Sequence, residues 1–256
     1  MKARKRFGQH FLHDPAVLDR IAHALSPSSK DAVVEIGPGR GALTRLLLES
    51  ACRSLDAIEI DRDLVPLLHD EFAADSRFAV HEADALDFDF TALAQSRGAR
   101  LRVIGNLPYN ISTPLLFHLL KHVTAVEDMH VMLQREVVHR IAAEPGNGDY
   151  GRLTVMLSPW LEAETLFDVG PGAFQPPPKV WSSVVRLTVR QTPAFVVSPH
   201  FAAVVASAFS HRRKTLRNAL KGVVTAAQIE SCNVDPNARP ETVAPEAFNR
   251  LAQSLA

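Results

Sequence analysis

Apolar residues first take a helical spacing at Val17, Leu18, Ile21 and Leu25, on a segment that Asp14-Pro15 opens with a capping acid and a first-turn proline. Pro27-Ser-Ser-Lys-Asp31 ends it as a turn. Short continuous apolar runs then alternate with longer, one-sided ones. Residues 32–36, 55–60, 78–81, 101–104 and 128–133 read as strands, and 43–48, 64–72, 114–122 and 136–143 as helices. Unbroken apolar strands separated by helices predict a parallel sheet covered on both faces.

Past Gly146-Asn-Gly148 the pattern changes. Residues 153–157, 163–169 and 182–189 read as further strands, and Gln191-Thr-Pro193 interrupts them. Everything after Pro199 reads as helix: 201–209, 213–220, 226–232 and 245–255. The expected organisation is an α/β domain over 1–190 and a small all-α domain over 191–256, without internal repeats.

Composition narrows the class. The 256 residues are 46% hydrophobic and 22% charged, which supplies a core and excludes a disordered chain. The richest apolar stretch, 201–209, falls short of the roughly 20 residues that a membrane-spanning helix needs. Met-Lys-Ala-Arg-Lys-Arg6 has no apolar segment behind it, so it does not read as a signal peptide. Cys52 and Cys232 fit neither a disulfide framework nor a metal clip. A cytoplasmic protein without a membrane partner is expected, and nothing demands more than a monomer.

The net charge of zero conceals a separation. Between Asp56 and Asp89 stand eleven acids against two bases, a net of −9. Residues 169–229 contain no acid and eight bases: Lys179, Arg186, Arg190, Arg212, Arg213, Lys214, Arg217 and Lys221. Lys2, Arg4, Lys5 and Arg6 add to the basic parts. Such sorting points to a polyanionic partner for the basic regions, against the plainer reading of solvated helix faces.

Gly37-Pro-Gly39-Arg-Gly41 follows the first long strand and opens a helix, so a ligand can lie against bare backbone at the carboxyl edge of the sheet. The spacing is G-x-G-x-G rather than the dinucleotide G-x-G-x-x-G. Glu59, ending the next strand, can accept hydrogen bonds from ribose hydroxyls, and Asp84 from an adenine amine. Loop, acid, acid suits a nucleoside without phosphates, S-adenosyl-L-methionine better than a dinucleotide. A dehydrogenase stays open on the glycine loop alone.

Asn106-Leu107-Pro108-Tyr109 ends the fourth αβ strand, where substrate would meet cofactor. The Asn106 oxygen and a carbonyl of Leu107 or Pro108 can accept the hydrogens of an exocyclic adenine amine, and Tyr109 offers a face to a flipped base. Phe174, before the Pro-rich 175–178 segment, is either a second aromatic opposite Tyr109 or a core residue. Arg213, Arg217 and Lys221 stand at helical spacing beside Leu216 and Leu220, with Arg212 and Lys214 adjacent, an arrangement that offers cations to phosphates. His118 and His122 stand four apart but lack a third ligand, so no metal is expected.

Together these motifs resemble the ribosomal RNA adenine N6,N6-dimethyltransferase family, in order and across almost the whole chain. Phe7-Gly-Gln9-His10-Phe11-Leu12 is similar to its N-terminal cofactor motif, with His10 where Asn is common; residues 35–44, Glu59-Ile-Asp61, Asp84, 106–109 and 174–182 follow, and 209–216 resembles its RNA-binding region. The resemblance implies a Rossmann-like class I methyltransferase domain. It implies that His10, Leu12, Gly37, Gly39, Glu59, Asp84 and Asn106 contact S-adenosyl-L-methionine, that Asn106, Leu107 and Pro108 hold the amine, and that Tyr109 and Phe174 sandwich the adenine. It is nearest the bacterial branch that dimethylates two adjacent adenines near the 3′ end of small-subunit rRNA, in a partly assembled 30S particle. Runners-up are a large-subunit rRNA dimethylase of the antibiotic-resistance type, a DNA adenine methyltransferase, and a ribosome-assembly factor whose methylation is secondary.

Overall fold

The computed structural model describes residues 9–211 and 213–255. Two compact units make up the chain: residues up to Val138 with Ala163–Val189, and His139–Glu162 with the chain from Arg190 onward. The third crossing, at Arg190, lies beside the expected single cut, while 139–162 joins the helical unit because Tyr150 and Val155 belong to that unit's core.

The first unit begins with a short strand, β1 (Phe11–Leu12), and helix α1 (Pro15–Leu25). Asp14 caps α1 by accepting the N–H groups of Ala16 and Val17 at 2.9 and 3.2 Å. Strands and helices then alternate: β2 (Ala32–Ile36), α2 (Ala42–Glu49), β3 (Ser54–Glu59), α3 (Val65–Phe72), β4 (Phe78–Glu82), α4 (Phe90–Arg97), β5 (Leu101–Asn106), α5 (Ser112–Lys121), β6 (Val126–Gln134) and α6 (Arg135–Ile141). Helix α7 (Arg152–Leu157) precedes β7 (Leu161–Val169), β8 (Phe174–Gln175) and β9 (Ser182–Val189).

The main sheet runs β4-β3-β2-β5-β6-β9-β7. Neighbours from β4 to β6 are parallel, and β9 is antiparallel to β6. Every residue of β2 and β3 is buried, which is why they read as unbroken runs. The chain winds outward from β2 to β4 and then returns to place β5 on the other side of β2. That reversal makes a crevice between the carboxyl ends of β2 and β5, the position where open α/β sheets bind ligands.

One side of the acidic stretch is structural. Asp56 is fully buried, takes Arg97 through two bonds at 2.8 and 2.6 Å, and holds His81 Nε2 at 2.8 Å. His118 Nε2 donates to the Phe88 carbonyl at 2.8 Å, and His122 Nδ1 lies 2.8 Å from the Thr91 hydroxyl, so this pair ties α5 to the segment around α4. Among the described residues no cluster of three or more His, Cys, Asp or Glu is arranged to hold a metal ion, and no helix is long and apolar enough to cross a membrane.

The second unit is helical: α7, then α8 (Phe201–Ala208), α9 (Leu216–Ala219), α10 (Ala226–Ser231) and α11 (Pro245–Gln253). Phe201, Val204, Val205, Leu216, Ile229 and Phe248 build its core. Tyr150 donates its hydroxyl to the Val243 carbonyl at 2.8 Å, and the Asn249 amide clamps Ser198 N–H and the Val196 carbonyl at 2.9 Å each.

Two expected elements change. Residues 153–157 are helix, not strand: Thr154 Oγ1 accepts the Gly151 N–H at 3.2 Å and donates to the Arg140 carbonyl, and that pair of contacts starts α7. The expected helix over 213–220 shrinks to α9, because Thr215 is extended (φ −69°, ψ 161°) and stands at the N-cap position of a helix that starts only at Leu216. Arg213 and Lys214 therefore sit in the preceding turn, and Lys221 follows the helix.

Candidate functional site: a nucleoside cavity at the sheet crossover

A cavity of about 490 Å³ opens at the crossover. Its lining includes His10, Leu12, Gly37, Gly39, Glu59, Asp84, Asn106, Leu107, Pro108 and Tyr109, ten positions drawn from five separated stretches of sequence. That size falls within the range of small-molecule and cofactor sites.

The glycine loop forms its floor. Gly39 has φ +59°, and a Cβ there would stand 3.0 Å from the Phe11 ring, so only glycine lets β1 lie across the loop. Gly105, one residue before Asn106, has no room for a side chain: a Cβ would meet the Ile36 carbonyl oxygen at 2.4 Å. This close approach brings the ends of β2 and β5 together and sets Asn106 beside Gly37.

Glu59 ends β3 and is 5% exposed. Its carboxylate accepts the Gly39 N–H at 3.2 Å and the Asp61 N–H at 2.9 Å, one on each oxygen. Burial pushes its pKa up, and those two N–H bonds oppose the shift. Each oxygen keeps a further lone pair for a ligand hydroxyl. Asp84 stands in the turn after β4, where its Oδ1 accepts the Leu86 N–H at 2.9 Å.

Asn106 is pinned. Its Nδ2 donates to the main-chain carbonyl of His10 at 2.9 Å, which leaves Oδ1 as the acceptor of that side chain. Leu107 N–H donates to the Met132 carbonyl at 3.1 Å. The Pro108 carbonyl accepts the Ile111 N–H at 3.1 Å, so of the two candidate carbonyls Leu107 is the one not engaged in that turn. Tyr109 holds Ser182 Oγ through its hydroxyl at 2.6 Å, and burial raises its pKa.

Phe174 departs from the expected sandwich. It is 2% exposed and packs in the core with Leu18, Ile21 and Val184, while its neighbour Gln175 lines the cavity. The cause is strand parity: β8 pairs antiparallel with β1, Leu12 opposite Phe174 and Phe11 opposite Gln175, and successive side chains point to opposite faces. The ring stacked beside Tyr109 is His10, at 5.9 Å between centroids and 28° between planes. His10 Nδ1 donates to the Pro176 carbonyl at 2.7 Å.

Sequence reading passed over Glu35 as a site residue. It lines the cavity at 2% exposure, accepts the Thr44 hydroxyl at 2.6 Å, and has its pKa pushed up to about 7 by burial. An acid inside an otherwise apolar strand was the available signal. Arg213, Lys214, Arg217 and Lys221 are all exposed on the second unit. Arg212, Phe7, Gly8 and the bases before them lie outside the described residues.

The lining tests well against S-adenosyl-L-methionine. Carboxylates end β3 and β4 on the side where ribose and adenine would sit, and a pyrophosphate placed there would face Glu35, Glu59 and Asp84 together. A ligand with hydroxyl and amine donors and a cationic centre matches that set; a dinucleotide does not.

The profile of the ribosomal RNA adenine dimethylase family matches residues 1–256. Ribosomal RNA small subunit methyltransferase A of Pseudomonas aeruginosa is 55% identical over 262 residues, covering 100% of this chain and 95% of its own length. The protein of that name from Hahella chejuensis is 53% identical over 253 residues, with 98% and 92% covered. Among solved structures, a dimethyladenosine transferase from Plasmodium falciparum superposes with a TM-score of 0.79 at 25% identity, over 94% of this chain and 96% of that one. The 23S rRNA methyltransferase ErmE superposes with a TM-score of 0.74 at 28% identity, over 96% and 99%. The α/β fold is thus Rossmann-like, as in these methyltransferases, and with its motifs in order from end to end the chain belongs to the ribosomal RNA adenine dimethylase family.

Proposed function

We propose that this chain transfers methyl groups from S-adenosyl-L-methionine to the N6 amine of two adjacent adenines near the 3′ end of small-subunit rRNA, giving N6,N6-dimethyladenosine. The observation that carries the reading is Asn106, fixed by His10 at the crossover with its oxygen left to accept. The likeness to small-subunit enzymes at 55% identity, against 28% for the 23S enzyme, favours the small-subunit branch.

When bound, S-adenosyl-L-methionine supplies an electrophilic methyl on a sulfonium. Glu59 accepts the ribose hydroxyls, Asp84 the adenine amine, and the Gly37–Gly39 backbone permits close approach. Asn106 Oδ1 and the Leu107 carbonyl accept the two hydrogens of the target amine and orient its nitrogen. The lone pair of that nitrogen is delocalised into the ring, so orientation supplies most of the rate enhancement. Tyr109 stacks on the flipped base. A monomethylated amine has one N–H left, so either acceptor suffices for the second transfer.

The first unit then carries cofactor and target base, and the second carries Arg213, Lys214, Arg217 and Lys221 toward the RNA backbone, with Arg212 beside them. The proposed substrate is a partly assembled 30S particle, met by a monomer in the cytoplasm during ribosome assembly. Methyl transfer from labelled S-adenosyl-L-methionine to under-methylated small subunits, with nucleoside mass spectrometry, tests this. Dimethyladenosine in small-subunit rRNA supports it. Label confined to large-subunit rRNA gives the case to the resistance-type activity, and binding to immature subunits without label to an assembly factor.

A further inference from the structure

Beyond the cavity, the ladder between β6 and β9 continues one step past its last pair, Gln134 opposite Ser182, into Arg135 and Trp181. The Arg135 N–H donates to the Trp181 carbonyl at 3.0 Å. Arg135 Cζ stands 5.5 Å from the centre of the indole, and its guanidinium lies 3.7 Å from Asp168, which also accepts the Ser183 hydroxyl. The edge of the ring meets Gly170, where a Cβ would stand 3.6 Å away. The indole is thus held by backbone, cation and neighbour, yet it remains 48% exposed beside Val180 at 43%.

A large aromatic fixed this firmly and left uncovered serves a ligand better than a core. Its surroundings identify the ligand. Lys179 is exposed two residues before it, and Arg135, which the indole shares with Asp168, is 45% exposed, so two cations stand near the indole for a phosphate backbone to meet. Ser182, the next residue, holds the Tyr109 hydroxyl at 2.6 Å, so the indole is one residue along the chain from a side chain that touches the proposed base site. Indole and guanidinium planes both stack on nucleobases.

We propose that Trp181, with Arg135 over it, is a stacking platform for the base that flanks the target adenine in the substrate RNA. The proposal rests on the RNA-methylating reading above. It adds a substrate contact that holds the strand next to the extruded base and acts on substrate affinity.

The test compares Trp181→Ala, Trp181→Phe and Arg135→Gln with the wild-type chain in methyl transfer to under-methylated small subunits. Trp181→Ala is expected to raise KM about tenfold, with the effect on KM rather than kcat and cofactor affinity retained. The slope of log KM against log salt stays at the wild-type value, since no charge is lost, and Trp181→Phe recovers most of the affinity. Arg135→Gln raises KM and flattens that slope by about one. A Trp181→Ala enzyme with wild-type KM overturns the platform while leaving the methylation reading intact.

A second readout separates RNA from protein as the occupant. In Trp160→Phe, Trp181 is the remaining tryptophan, and its emission is followed on adding a single-stranded RNA of about 12 nucleotides with two adjacent adenines. Quenching that disappears when the neighbouring nucleotide is abasic supports the platform. Quenching that survives the abasic site overturns base stacking, and a raised KM with no quenching by RNA assigns the surface to a subunit protein instead. If the wild-type chain transfers no label, the methylation reading fails, and the RNA titration alone decides the platform.

Discussion

Asn106 donates its side-chain amide to the main-chain carbonyl of His10, 2.9 Å away and 96 residues earlier in the chain. One bond thereby does two things. It orients the amide so that its oxygen is the group presented to a base, and it holds the 9–12 segment over the cavity, where Gln9 Nε2 also reaches Asp61 at 3.0 Å. On the proposed reading, cofactor enclosure and amine orientation are mechanically joined.

Asn106→Ala and Asn106→Asp should therefore fail differently. Alanine removes the acceptor and the anchor, and single-turnover methyl transfer is expected to fall about 100- to 1000-fold, the usual effect of deleting one preorganised polar contact. Aspartate keeps an acceptor but faces the His10 carbonyl with a second oxygen, so cofactor affinity should weaken as well. Wild-type cofactor affinity in both variants would separate the strap from Asn106.

Tyr109 combines a stacking face with a hydroxyl bonded to Ser182. Tyr109→Phe keeps the face and loses a bond worth about 1 kcal/mol, so activity should stay within about tenfold of wild type. Tyr109→Ala loses the stacking surface, and about 100-fold is expected from kcat/KM. Similar losses in the two variants would move the importance to the hydroxyl.

Local signals were the legible ones. The Asp14-Pro15 start of α1 is read from two residues because capping is local chemistry, and 32–36 is read from its unbroken apolar run. Helix α4 was not expected although Asp89 and Gly98 cap its two ends, because Phe-Thr-Ala-Leu-Ala-Gln-Ser-Arg has no clear apolar stripe. The run 153–157 is the same length as a buried strand, and only the contact of Thr154 with Arg140 decides for helix. Phe174 shows the limit most plainly: whether it or Gln175 faces the cavity depends on pairing with Leu12 and Phe11, over 160 residues away.

Glu59 links the glycine loop to the proposed ribose site. Glu59→Ala deletes the acceptor for Gly39 and Asp61 N–H groups and for ligand hydroxyls, so S-adenosyl-L-methionine should bind at least about tenfold more weakly. Isothermal calorimetry reads this directly. Unchanged affinity would place the ribose elsewhere in the cavity.

The exposed bases of the second unit should act additively on salt dependence. Replacing Arg213, Lys214, Arg217 and Lys221 by glutamine one at a time should lower the slope of log affinity against log salt by about one for each cation that meets a phosphate. Because Arg213 and Lys214 precede α9 and Arg217 lies within it, the four do not form one helical stripe, and unequal effects are expected. Subunit binding measured from low to physiological salt gives the slopes, and wild-type slopes throughout would move the RNA surface away from this segment.

Glu35 makes stability depend on pH in a direction opposite to most paired carboxylates. Its folded pKa of about 7 stands above the ordinary 4.5, because the buried charge is poorly solvated and the Thr44 hydroxyl only partly offsets that. Between those values the folded chain holds a proton that the unfolded chain has released, so this group's contribution is fully present below about pH 4.5 and is lost as pH rises through 7. Glutamine imitates the protonated form and keeps an acceptor for Thr44. Glu35→Gln should match wild type near pH 5 in urea melts and exceed it by up to about 3 kcal/mol near pH 8. A gain that is the same at both pH values would mean that Glu35 titrates normally, and that its charge is tolerated in the cavity.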